Sequence, residues 1–324
     1  MNIIKPHKLN PGDKVGIISP SNPIKEKREN FLKAKENFEK QLNLKLVFSD
    51  NAFNQYYYSA GTTQERIDDF HSMLEDDDIG AILFSVGGDT AIDLLPHLNF
   101  ELIREKRKII SGISDATTLL HSITAKTGLI THLGIELHYY EDQDLSYQND
   151  SIKRAWFDGN LEDINPNSNW KDLRKTYNQY AGWQTIKKGK AKGMFVGGNF
   201  SSFMQLVNTE YALPFEDNLL FFETYKYPKK LIHKALKQLE LHGILEKISG
   251  MVIGYLLDSE NPKVMGNEQP LKELVLEVVD EYDFPVMQIG EIGHQVENFI
   301  QPIGAKVEMD VSKLSLKILE TVAD

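Results

Sequence analysis

Cysteine is absent from this 324-residue chain, which removes disulfides, thiolate nucleophiles and cysteine-based zinc sites from consideration. No stretch reaches the roughly 20 consecutive apolar residues that a helix needs to cross a bilayer, so no membrane span is expected. Basic charge is also in short supply: 36 Lys and Arg stand against 47 Asp and Glu, for a formal net charge of −11. That balance argues against a nucleic-acid partner, because binding phosphates needs clustered cations. The longest basic cluster, Lys187-Lys188-Gly189-Lys190 with Lys192, is short and reads as a solvated loop. Internal repeats and low-complexity tracts are missing. The opening residues, Met1 to Pro6 and then Pro11-Gly12-Asp13, lack the apolar core of a signal peptide, so a soluble cytoplasmic protein is expected.

What is present is an ordinary globular mixture, 41% hydrophobic and 26% charged, able to bury a sizeable core. The length favours two domains sharing a cleft. In the first half, apolar runs at 15–19, 44–48, 81–85 and 108–112 predict buried strands. Helices are predicted over 25–42 and over 64–74, where Ile67, Phe70 and Leu74 share one face. Such alternation implies a parallel sheet covered on both sides. Between 141 and 182 the chain turns rich in Asn, Asp, Lys and Trp, and reads as a linker and long surface loop. Apolar runs return at 193–196, 219–222, 250–257 and 284–289, with helices predicted over 229–241 and 269–282. The expected fold class is therefore α/β: an N-terminal parallel-sheet domain of Rossmann or flavodoxin type over 1–165, a linker and substrate loop over 166–182, and a second mixed α/β domain over 183–324.

Four segments could carry chemistry. Ser114 follows a strand ending at Gly112 and precedes a helix, a turn that projects a hydroxyl while helix-start N–H groups point at any anion formed beside it. Equally, Ser114 or Asp115 could simply cap that helix. Gly87-Gly88 ends another strand, and paired glycines let the backbone approach a ligand or merely make a tight turn. Their spacing is neither a dinucleotide fingerprint nor a phosphate loop. Glu223 closes an apolar run, where a carboxylate needs a partner such as a histidine N–H, unless it is an exposed strand end. His294 lies in a Gly-flanked loop after an apolar run, a placement common for functional residues but open to an incidental histidine.

Taken in order, these segments resemble the LD-carboxypeptidase family of serine peptidases. The resemblance runs nearly end to end, from the stretch Leu9 to Ser21 through Gly87-Gly88, Gly112-Ile113-Ser114-Asp115, Trp183, Gly197-Gly198-Asn199 and Glu223 to Gly293-His294 and Pro302-Ile303-Gly304. It implies a Ser-His-Glu triad of Ser114, His294 and Glu223 in an interdomain cleft, with an oxyanion hole from the backbone N–H groups of Gly88 and Asp115. It also implies no metal or organic cofactor, a small peptide-like substrate and a homodimer. The stretch from Ser85 to Pro96, with Val86 where the murein-recycling branch has arginine, is closer to the microcin C immunity branch. That branch implies a peptidyl-nucleotide substrate, contacts from Gly87, and Trp170 stacking on a base, although Trp170 could instead be a loop anchor. Asp89-Thr90 and Asn208 depart from the family pattern, where Asn-Ser and Gly are usual. A related amidotransferase reading fails for want of a cysteine. A two-domain binding protein without chemistry stays open beside the enzyme.

Overall fold

Lys14–Ile18 forms β1, and every residue after the first is buried, because a strand inside a parallel sheet is covered on both faces. The structure is a computed structural model that describes residues 1–174, 182–257 and 269–324. It divides into two units. The first holds Met1–Leu161, Phe299–Gly304 and Thr321–Asp324; the second holds Glu162–Asn298 and Ala305–Glu320. The first unit thus ends four residues before the boundary expected at 165, and two short segments from the C-terminal part return to it. Of the expected substrate loop at 166–182, residues 175–181 lie outside the described residues. Among the described residues no helix is long and apolar enough to cross a membrane.

In the first unit, α1 (Arg28–Leu42), β2 (Lys45–Phe48), α2 (Thr63–Glu75), β3 (Ile79–Phe84), α3 (Phe100–Lys106), β4 (Ile109–Gly112), α4 (Ala116–Thr127) and β5 (Thr131–Leu133) follow β1. All the strands and helices predicted for this half form within a few residues of their expected places. Local chemistry sets the helix ends. Thr62 and Glu65 make a reciprocal capping box at the start of α2, and the hydrogen bonds from Thr62 hold the Glu65 carboxyl below its usual range. Asn43 and Gly128 end α1 and α4 in the left-handed region. Strands β2-β1-β3-β4-β5 are all parallel neighbours. The returning strand Gln301–Ile303 adds antiparallel to β5, pairing Pro302 with His132. The order reverses between β1 and β3, and open sheets bind ligands outside the carboxyl ends of strands at such a point.

The stretch from 141 to 161 is not the loose linker the composition suggested. It folds as α5 (Ser146–Ile152) and a π-helical turn (Lys153–Asp158), because Ile152, Ala155 and Trp156 are all fully buried. The apolar positions were few, but Trp156 alone supplies a large buried surface.

The second unit is a mixed sheet. Its strands are β6 (Asp163–Ile164), β7 (Gln184–Lys187), β8 (Lys190–Asn199), β9 (Leu219–Thr224), β10 (Gly250–Leu256) and β11 (Val286–Gln288), then, past Gln301–Ile303 as β12, β13 (Lys306–Asp310) and β14 (Ser315–Ile318). Spatially they run β6-β14-β13-β8-β9-β10-β11-β7. The four central strands, β8 to β11, are parallel, and the outer ones are antiparallel. Helices α6 (Phe200–Met204), α7 (Lys229–Leu241) and α8 (Leu271–Val279) complete it. Phe195 stacks on Phe221 at 4.0 Å and Phe200 on Phe222 at 4.2 Å, tying β8 and α6 to β9. The basic cluster is not wholly a solvated loop: Lys187 lies in β7 and its Nζ donates to the carbonyls of Val279 and Asp280 at the end of α8.

Candidate active site

The turn from β4 into α4 is a strained elbow. Ser114 has φ 65°, the left-handed region that non-glycine residues enter at a cost of about 1–3 kcal/mol. Such strain persists only where the surroundings enforce it, and here they do. A methyl group on Gly112 would come within 2.7 Å of Ala116 Cβ and 3.0 Å of Phe84 Cβ, so the strand and helix meet closely. The helix-cap reading fails for Asp115: its side chain makes no cap hydrogen bond. Its buried carboxylate accepts instead from Ser21 Oγ at 2.7 Å and the Ala91 N–H at 2.9 Å.

Ser21 joins the elbow to the end of β1. Its hydroxyl accepts the Thr90 N–H at 2.9 Å, and the Asn22 N–H donates to the Gly87 carbonyl at 3.1 Å. The Gly87-Gly88 turn therefore runs directly beside the elbow. A methyl on Gly87 would sit 2.5 Å from Ser114 Cβ and 2.8 Å from its Oγ, while Gly88 has φ 152° and leaves no room against Ser21 Oγ at 2.3 Å. Glycine at both positions is thus a requirement of close approach as well as of the turn. Arg66 braces the same region from α2, donating to the carbonyls of Pro20 at 2.7 Å and Thr90 at 3.0 Å. The threonine of the departing Asp89-Thr90 pair keeps a useful hydroxyl, which accepts from Arg66 at 3.1 Å.

In the second unit Glu223 ends β9, 1% exposed, and its Oε2 lies 2.7 Å from Nδ1 of His294, itself 4% exposed. Glu223 is therefore no exposed strand end, and His294 is a buried partner of it. The parallel register pairs Asn199 with Glu223, and Asn199 Nδ2 donates to Glu223 Oε1 at 2.8 Å. Asn199 Oδ1 in turn caps α6 by accepting the Ser202 N–H. Both carboxylate oxygens thus have partners, as a buried carboxylate requires. The Tyr225 ring lies 4.8 Å from that of His294. The histidine loop is fixed by Asn298, whose side chain accepts the Gly293 N–H and donates to the Gly293 carbonyl. A histidine held at Nδ1 by a carboxylate presents Nε2 for proton transfer.

Trp170 is half-buried; its Nε1–H donates to the Gly290 carbonyl at 2.8 Å and its ring meets Tyr255 edge-on at 5.2 Å. Asn208 has φ 63°, which is why glycine is the usual residue there. Sequence reasoning passed over Arg66 and the bonding roles of Ser21, Asp115 and Asn199. Asn199 left a trace as a member of Gly197-Gly198-Asn199, Asp115 as a member of Gly112-Ile113-Ser114-Asp115 and Ser21 as the end of the family-like stretch from Leu9; Arg66 left none.

The geometry agrees with what the chain is similar to. The family model for the LD-carboxypeptidase N-terminal domain matches residues 15–134, and that for the C-terminal domain matches 192–309. A probable murein peptide carboxypeptidase of Bacillus subtilis is 30% identical over 99% of this chain and 96% of its own. The microcin C7 self-immunity protein MccF of Escherichia coli is 28% identical over 95% of this chain and 94% of its own. A solved structure of MccF in complex with aspartyl sulfamoyl adenosine has the same fold, with TM-score 0.88, 24% identity, and coverage of 99% of this chain and 100% of that one. With a strained serine elbow, a buried histidine–carboxylate pair and both domain models matched in order, the chain belongs to the LD-carboxypeptidase family and is a serine-type carboxypeptidase.

Proposed function

We propose that the protein hydrolyses an amide bond near the C-terminus of a small peptide-like substrate, with Ser114 as nucleophile, His294 as general base and Glu223 as the residue that orients it. The observation that carries this reading is the buried 2.7 Å pair of His294 Nδ1 and Glu223 Oε2. The left-handed Ser114 elbow supplies the complementary nucleophile. In the proposed cycle, His294 takes the hydroxyl proton as Ser114 Oγ adds to the carbonyl carbon. The oxyanion is met by the backbone N–H groups of Gly88 and Asp115. Collapse breaks the C–N bond, and His294 returns the proton to the leaving nitrogen. Water then attacks the acyl-enzyme by the same route and frees the carboxylate and Ser114.

For the substrate, the relatives point to two chemistries, a murein peptide and an aminoacyl or peptidyl nucleotide. We favour the second, with Gly87 against the scissile region and Trp170 against the base. The same reading carries a homodimer, which sedimentation of the purified chain would test.

Turnover of wild type and Ser114→Ala on an L,D-tetrapeptide murein fragment and on aspartyl sulfamoyl adenosine tests the whole proposal. Cleavage of the nucleotide analogue by wild type, with loss of at least about 10³-fold in the variant, is the expected result. Release of D-alanine alone would move the enzyme to cell-wall peptides. Full activity in Ser114→Ala would remove Ser114 as nucleophile. Tight binding of either compound by wild type without turnover would leave a binding protein.

A further inference from the structure

Trp183 belongs to the family-like pattern of the sequence, and yet no step of the proposed hydrolysis uses it. Its indole leads to a carboxylate three residues before His294. Glu291 is 1% exposed. Its Oε1 accepts the Asn167 N–H at 2.8 Å, and its Oε2 accepts the Trp183 Nε1–H at 2.7 Å and the Gly290 N–H at 3.0 Å. Among the described residues no cation faces it, so N–H donors alone satisfy the charge. Burial pushes its carboxyl above the usual range, while the donors from Asn167, Trp183 and Gly290 pull it back. A buried, unpaired carboxylate is a costly way to hold a loop, and groups kept at such a cost cluster at functional sites.

The three donors come from separate places: the segment before Trp170, the start of β7 and the loop of His294. Further bonds zip the first and last of these together. Trp170 donates to the Gly290 carbonyl, and the Leu173 N–H donates to the Gln295 carbonyl at 2.7 Å. Tyr255, at the end of β10, donates its hydroxyl to Asp172 at 3.1 Å and its N–H to the Ile292 carbonyl at 2.6 Å. Trp170 and His294 are thus carried by two strips of chain laced side by side, and Glu291 is the point where the lacing meets the sheet.

We infer that Glu291 is a positioning residue whose carboxylate clamps the Trp170 segment and the start of β7 to the His294 loop, so that one joint sets both the substrate contact and the base. The inference rests on the proposed roles of His294 and Trp170.

The test reads the joint without substrate as well as with it. In proton NMR, an Nδ1 proton of His294 bonded to Glu223 is expected to give a low-field resonance. Glu291→Gln turns an N–H₂ toward N–H donors, and is expected to broaden or erase that resonance and lower kcat by about tenfold. Trp183→Phe removes one donor and should produce the same two changes to a smaller degree. Adding it to Glu291→Gln should cost little more, since both act on one bond. If Glu291→Gln does not fold, Trp183→Phe alone decides the matter. A low-field resonance and kcat unchanged from wild type, with only a lowered Tm, would make Glu291 a brace for the fold and overturn the inference. Because the resonance needs no substrate, this failure is distinct from Ser114→Ala keeping its activity.

Discussion

The Ser114 elbow and the His294–Glu223 pair are built by opposite means. Around Ser114 the backbone does the positioning: glycines at 87, 88 and 112 let chains approach closely, and a left-handed serine is held in place by that crowding. Around His294 the side chains do it, through a line of bonds from Ser202 to Asn199, Glu223 and the imidazole. Backbone-built geometry tolerates no added carbon, whereas side-chain-built geometry tolerates volume changes but no lost donor or acceptor. The two regions should therefore fail differently under substitution.

The largest expected effect is on the side-chain region. Glu223→Gln keeps the shape but offers an N–H₂ where the histidine needs an acceptor, and should lower kcat by about 10⁴-fold with little change in KM. Steady-state kinetics beside circular dichroism would show whether activity is lost without unfolding. Next comes the backbone region. Gly87→Ala places a methyl 2.5 Å from Ser114 Cβ and 2.8 Å from its Oγ, so kcat should fall about 10²–10³-fold and the thermal midpoint should fall with it as the crowded turn shifts. Equal losses of stability in these two variants would erase the contrast. Asn199→Ala removes both a helix cap and a partner of Glu223 Oε1. Denaturant unfolding should register a loss of about 1–3 kcal/mol. The smallest effect is at Asn208, where glycine would relax the φ of 63° but forfeit the bond to His242, for a net change within about 1 kcal/mol by thermal melts.

The same contrast explains what could be read from the residues alone. Backbone demands leave local marks: Gly-Gly after an apolar run and Gly-x-Ser-Asp between strand and helix point to a turn of close approach wherever they stand. Ser114 and Gly87-Gly88 were legible in that way. The pairing of Glu223 with His294 came only from the family resemblance, because 71 residues separate the two and no local pattern joins them. Arg66 left no mark, since an arginine within an amphipathic helix is commonplace, and Ser21 showed only as the end of the family-like stretch from Leu9, without its bonding role. Trp156 misled in the other direction: the stretch from 141 to 161 is rich in polar residues, and burial in the first unit outweighed that composition.

Amino-acid order alone determined the alternation of strands and helices, the parallel character of the first sheet and the glycine-lined turns, because each follows from periodicity and backbone sterics over a few residues. Tertiary structure decided which side chains meet. Parallel register set Asn199 opposite Glu223, and the loop after β11 brought His294 to that carboxylate. A hydrogen bond between distant residues is fixed by how strands align, and no local pattern encodes that alignment.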